Sequence, residues 1–263
     1  MSEPQTNSVE MLEHLPFTLD EGIGSRARIG MIVLASDYTV EHEFRRVMTI
    51  PGVDIYAARI ENSPTITPKT LAAMEARIAP TTRLLLPGEK LDVIAYGCTS
   101  ASMVMGEEAV FRQIKKVQPD AACTTPATAA FAAFDALGAK KIAVLTPYRR
   151  DVNTHVQQYI EKADYTVSVF GSFNEEQDPV VARIDSASLS NAIDTLVKDR
   201  DVDMVFVSCT SVRLLDAAPA IEKRIGLPVT SSNHAMAWHC LRLAGVNDLM
   251  PSLGKLYELP LSG

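Results

Sequence analysis

The chain has four cysteines in 263 residues, with no CxxC pair and no close Cys/His grouping of metal-ligand spacing. A disulfide framework and a zinc framework are both excluded on that count, and the thiols are read as reduced. No stretch reaches the ~18 consecutive apolar residues that a spanning helix needs. The segment from Met1 to about Arg28 is polar and acidic and lacks the apolar core of a signal peptide, so a cytoplasmic protein with no membrane partner is expected. Lys and Arg do not cluster with aromatic residues anywhere, which removes the footprint of a nucleic-acid binder. No GxGxxG follows the first candidate strand and no GxxxxGK[ST] occurs, so neither a dinucleotide nor a nucleoside triphosphate is implied.

What is present is an ordinary globular composition, 47% hydrophobic and 22% charged, with a formal net charge of −7 spread along the chain. Short apolar runs recur at 29–34, 91–96, 141–145 and 202–207, and their length and flanks are those of buried parallel strands. Amphipathic stretches lie between them at 67–78, 109–116, 128–137, 152–162 and 188–198. Alternation of strand and helix predicts an α/β fold with helices on both faces of a parallel sheet.

The chain repeats itself. Asp92-Val93-Ile94-Ala95-Tyr96-Gly97-Cys98-Thr99-Ser100 returns 111 positions later as Asp203-Met204-Val205-Phe206-Val207-Ser208-Cys209-Thr210-Ser211. The strand at Ile29–Val33 has its counterpart at Ile142–Thr146, and Ala122–Pro126 has its counterpart at Val229–Asn233. Two similar Rossmann-like, flavodoxin-like open parallel-sheet domains related by a pseudo-twofold axis are therefore expected, with the active site in the cleft between them. The boundaries read as an N-terminal extension over 1–28, a first domain from 29–127 plus 232–263, and a second domain over 128–231.

Ligands of open α/β sheets gather at the carboxyl ends of the strands. Cys98 and Cys209 both fall there, each expected in the first turn of a helix, where the dipole favours the reactive thiolate. A lone Cys after a buried strand is more often a small core residue than a nucleophile. A Cys-Thr-Ser repeated at matching strand ends is not explained by packing, which needs neither the thiol nor the hydroxyl pair twice. Two thiols on opposite faces of one carbon can remove a proton from one side and return it from the other. Thr99, Ser100, Thr210 and Ser211 supply hydroxyls and backbone N–H groups for a carboxylate or the enediolate formed from it. Cys123 and Cys240 do not repeat and are read as core residues, and His234 as an oriented structural histidine.

This pattern resembles the aspartate/glutamate racemase superfamily over residues 29 to 245. Tyr-Gly-Cys-Thr-Ser-Ala-Ser at 96–102 and Leu-Thr-Pro-Tyr at 145–148 are most similar to the branch of maleate cis–trans isomerases, arylmalonate decarboxylases and ectoine-utilisation proteins, the last the closest. The resemblance implies a cofactor-independent, metal-free enzyme with Cys98 and Cys209 as catalytic pair. It also implies Thr99, Ser100 and Thr210 around a carboxylate, Tyr148 as hydroxyl donor, and Asp37 and Asn174 as further substrate contacts. The decarboxylases of this branch have glycine at the first cysteine, and racemases place His or Glu after the second Cys-Thr, where this chain has Ser211. The expectation is therefore a racemase or cis–trans isomerase of a small carboxylate or amino-acid derivative, working as a homodimer or homotetramer. A malonate-type decarboxylase and a non-catalytic carboxylate-binding protein are the alternatives.

Overall fold

The computed structural model describes residues 9–63, 68–175 and 177–262. It contains two four-stranded, wholly parallel sheets. The first is built from β1 (Ala27–Leu34), β2 (Val53–Ile60), β3 (Val93–Gly97) and β4 (Ala122–Thr124), in the order β2-β1-β3-β4. Its connections carry α1 (Val40–Val47), α2 (Pro68–Ala72), α3 (Glu75–Thr82), α4 (Thr99–Met105) and α5 (Glu107–Lys115), and α6 (Pro126–Ala136) leaves the last strand. The second sheet repeats the order with β5 (Lys141–Thr146), β6 (Thr166–Ser172), β7 (Met204–Val207) and β8 (Val229–Ser231), arranged β6-β5-β7-β8. Its helices are α7 (Arg150–Lys162), α8 (Asp178–Val181), α9 (Ser186–Val197), α10 (Ala218–Ile225) and α11 (Ser232–Leu243). The fold class expected from the internal repeat is the one observed, and the strand order is that of a flavodoxin-like sheet.

Both faces of each sheet are covered, which is why the central strands are continuously apolar. Along β1, Ile29, Met31 and Val33 enter one core cluster and Ile32 the opposite one; along β3, Val93 and Ala95 oppose Ile94 and Tyr96. The same division recurs in the second sheet, with Ala143, Leu145, Val205 and Val207 on one face and Ile142, Val144, Met204 and Phe206 on the other. The edge strands β2 and β6 were not legible as apolar runs, because each is half-exposed and interrupted by polar residues.

The two halves are tied by a pair of helices that start in the same way. Thr125 caps α6, its hydroxyl accepting the Thr128 N–H at 3.2 Å, with Pro126 at the first helical position. Ser231 caps α11 by accepting the His234 N–H at 3.2 Å. α11 follows the second sheet in the chain yet buries Met236, Trp238 and Leu241 in the core cluster of the first. α6 faces two ways, with Ala129 and Ala133 in that cluster and Ala130 and Phe134 in a core of the second sheet. Full burial of a large side chain stabilises by about 1.5–3 kcal/mol, so truncating Trp238 loosens the first sheet's core and truncating Phe134 the second's.

The amphipathic stretch expected at 67–78 is two helices, α2 and α3, separated at Ala73-Met74; its first residue, Thr67, lies outside the described residues. Among the described residues no helix is long and apolar enough to cross a membrane.

Candidate active site

The carboxyl ends of β1, β3, β5 and β7 converge on one small cavity of about 40 Å³. Cys98, Thr99 and Ser100 line it from the first half, and Tyr148, Cys209, Thr210 and Ser211 from the second. The repeated segment thus contributes both of its copies to a single site. Both thiols are buried, with 4% of Cys98 and 2% of Cys209 exposed.

The two sulfurs are held in similar ways. Cys98 is the N-cap of α4, its Sγ 3.8 Å from the Ser100 hydroxyl and hydrogen-bonded by the Ala101 N–H. Cys209 accepts the Ser211 N–H at 3.3 Å and the hydroxyl of Tyr148. Gly97 precedes Cys98 because β3 and β1 approach closely there: a Cβ would sit 3.2 Å from the Ile32 carbonyl oxygen.

The helix start expected at both cysteines is present at Cys98 and absent at Cys209. α4 has one helical stretch of seven residues after Cys98, but Cys209 is followed by a turn, and the next helix, α10, begins only at Ala218. Burial dominates instead, pushing the Cys98 thiol up to about 11 and Cys209 up to about 12, because the charged form loses its hydration. The hydrogen bonds to each sulfur oppose that push, and the carboxyls of Asp178 and Asp37 add to it. Burial also drives Tyr148 well above its ordinary value, so it stays a hydroxyl donor.

Of the other sequence-derived candidates, Asp37 is buried and does not line the cavity. Its Oδ1 accepts the Thr39 and Val40 N–H groups, both at 2.8 Å, its Oδ2 has no partner, and burial raises it to about 6. Asn174 is not brought to the cavity. It is an exposed turn residue with φ of 53°, its N–H donated to the Ser172 hydroxyl, and it borders surface depressions with Arg150. His234 is a buried structural residue, bonded to the Thr230 hydroxyl at 2.9 Å and the Leu253 carbonyl at 2.7 Å, and held down to about 4 by burial. Cys240 is fully buried, whereas Cys123 is only half-buried.

Sequence reasoning missed Asn62, Ser63 and Thr70, which line the cavity, and three further residues that bear on it. Asp178, the first residue of α8, lines the cavity and accepts the Ser211 hydroxyl at 3.1 Å; its only sequence signal is the Asp-Pro start of a helix. Thr39 donates its hydroxyl to the Ser211 carbonyl at 2.9 Å. Glu43 in α1 accepts the Leu215 N–H and the Asn233 amide, both at 2.8 Å, while the same Asn233 amide donates to the Thr210 carbonyl at 2.7 Å. The first half thereby fixes the loop that carries the second cysteine. The reciprocal tie runs from the Thr99 hydroxyl to the Ser232 hydroxyl at 3.0 Å.

Paired parallel-sheet halves, each placing one cysteine in a shared cavity, define this protein as a member of the aspartate/glutamate racemase-like superfamily. Within it the chain belongs to the arylmalonate decarboxylase family, which it matches over residues 29–257. It is 32% identical over 138 residues to arylmalonate decarboxylase of Bordetella bronchiseptica, a match spanning 52% of this chain and 58% of that enzyme. It is 28% identical over 239 residues to maleate isomerase of Nocardia farcinica, covering 87% of this chain and 94% of that enzyme. A solved cysteine-to-serine mutant of the Nocardia farcinica maleate cis–trans isomerase, with a covalently bound succinylcysteine intermediate, superposes with a TM-score of 0.80 at 27% identity. That match covers 88% of this chain and 98% of the other.

Proposed function

We propose that this protein is a cofactor-independent isomerase of small carboxylates in which Cys98 and Cys209 are the catalytic pair. The observation that carries the reading is that both sulfurs border one cavity, each supplied by a different sheet. In the proton-transfer form, one sulfur as thiolate removes the proton next to the substrate carboxylate. The electron pair passes into the carboxylate as an enediolate, and the other thiol returns a proton to the opposite face, which inverts the centre. Charge on that intermediate is met by donors of the two Cys-Thr-Ser segments and by Tyr148. In the cis–trans form, one thiolate adds to a carbon–carbon double bond, the resulting single bond rotates, and elimination restores the thiolate.

The isomerase relatives align over most of both chains, and their solved covalent adduct is a succinylcysteine, which supports thiol chemistry here. A second reading, decarboxylation of a malonate-type acid, is favoured by the family match and by the Bordetella relative. Proton NMR in deuterated water, with a panel of small carboxylates and amino acids, separates the two. Deuterium entering next to the carboxylate of recovered substrate or its epimer, or interconversion of cis and trans acids, is expected; release of carbon dioxide from malonates, with deuterium only in the decarboxylated product, would replace the isomerase by the decarboxylase.

A further inference from the structure

Among the described residues, seven of the twelve large apolar side chains that stand exposed fall between Val9 and Ile23, in the arm that precedes β1. Leu15, Phe17 and Leu19 are 65%, 81% and 87% exposed. The arm has neither helix nor strand, and in extended chain alternate residues share a face, so these three form one apolar edge. Contiguous apolar surface of this kind left in water marks an interaction site. The arm lies ahead of the stretch 29–257 shared with the decarboxylase family, so the family's fold does not account for it.

A groove on the body of the protein matches it. α4 of the first half and α7 of the second flank an open groove of about 520 Å³, lined by Leu71, Met103, Val104, Val152, Val156 and Tyr159. The charges are complementary as well. From Val9 to Ser25 the arm carries Glu10, Glu13, Asp20 and Glu21 and no Lys or Arg. Asp151 is the one carboxylate that lines the groove, against His155 and Lys162, and Arg149 and Arg150 stand at the start of α7 beside it.

The arm does not cover the groove of its own chain. Its apolar side chains stay exposed, and its root is pinned at the amino end of β1, where Arg26 pairs with Asp248 at 2.5 Å and Arg28 with Glu89 at 2.9 Å. α4 and α7 begin at the opposite ends of the sheets, after β3 and β5. A second copy of the chain offers a groove to this arm and an arm to this groove, and reciprocal seating closes as a twofold dimer with neither surface left in water.

We propose that the arm from Val9 to Ile23 seats in the α4–α7 groove of a second copy of this chain, with Leu15, Phe17 and Leu19 on the apolar floor and the arm's carboxylates toward the basic ends of α7. Leu71 and Ser100 border both the groove and the cavity of the two cysteines, so each arm lies beside its partner's cavity.

Sedimentation velocity of the full chain over a concentration series, with crosslinking between copies, tests this. The wild type self-associates, and the pair Leu15→Asp and Phe17→Asp on the arm, or Val104→Asp in the groove, raises the dissociation constant at least tenfold. All three positions are exposed, so the variants keep the fold, which circular dichroism checks. For crosslinking, a Phe17→Cys chain and a Val104→Cys chain with a different tag are mixed under mild oxidation, beside one chain carrying both substitutions and the wild type as control for its own thiols. A disulfide joining the two tags is expected. A monomeric wild type, an oligomer indifferent to the arm and groove variants, or no disulfide between the tags would overturn the proposal. A disulfide formed only within the doubly substituted chain would also overturn it, by giving the groove to the chain's own arm.

Discussion

The Thr39 hydroxyl donates a 2.9 Å hydrogen bond to the Ser211 carbonyl, so the loop after β1 in one half of the molecule holds the loop of Cys209 in the other. With Glu43 receiving the Leu215 N–H from the same loop, α1 clamps the second thiol across the interface of the halves. The geometry of the pair therefore belongs to the contact between sheets rather than to either sheet alone.

Thr39→Val removes the donor and leaves the buried Ser211 carbonyl short of a bond, which costs about 1–3 kcal/mol. Displacement of Cys209 should lower kcat by about 10- to 100-fold, since small misplacements of reacting groups have effects of that order. Urea midpoints and steady-state kinetics check both; a wild-type kcat would show that the clamp does not position the thiol.

Glu43 makes stability depend on pH. Its folded carboxyl is pushed up to about 7 by burial from an ordinary 4.5, so the folded state binds the proton more tightly than the unfolded one. That contribution is complete below pH 4.5 and is lost as the pH rises through 7. Glu43→Gln removes the titration, while His234 and His239, held down to about 4 and acting in the opposite sense, are common to both proteins and cancel. The wild type should lose stability relative to Glu43→Gln between pH 5 and pH 8 in urea melts; a difference independent of pH contradicts the assignment.

The thiols should be sluggish in the empty enzyme. With Cys98 raised to about 11 and Cys209 to about 12, thiolate is scarce at neutral pH and alkylation should climb steadily through pH 10. Iodoacetamide rates resolved by mass spectrometry for the two peptides measure this. A plateau below pH 8 would mean that the sulfurs are activated without substrate.

The central strands and the cysteine pair were legible because the repeat doubles a weak signal: one Cys at a strand end is ambiguous, but two copies of Cys-Thr-Ser at matching ends are not. The edge strands β2 and β6 were hidden by their polar, half-exposed faces. Asp178 and Glu43 were hidden for a different reason. Neither repeats in the other half, and each reaches the Cys209 loop only through tertiary contact, Asp178 through Ser211 and Glu43 through Leu215 and Asn233. The burial that pushes both thiols up was not legible, because a strand-end position does not reveal it.

The most direct measurement is turnover by Cys98→Ala and Cys209→Ala beside the wild type, on whichever carboxylate the wild type isomerises, with circular dichroism to establish that each variant is folded. The two-thiol account predicts that each folded variant loses turnover essentially completely. Full activity in either one would contradict it.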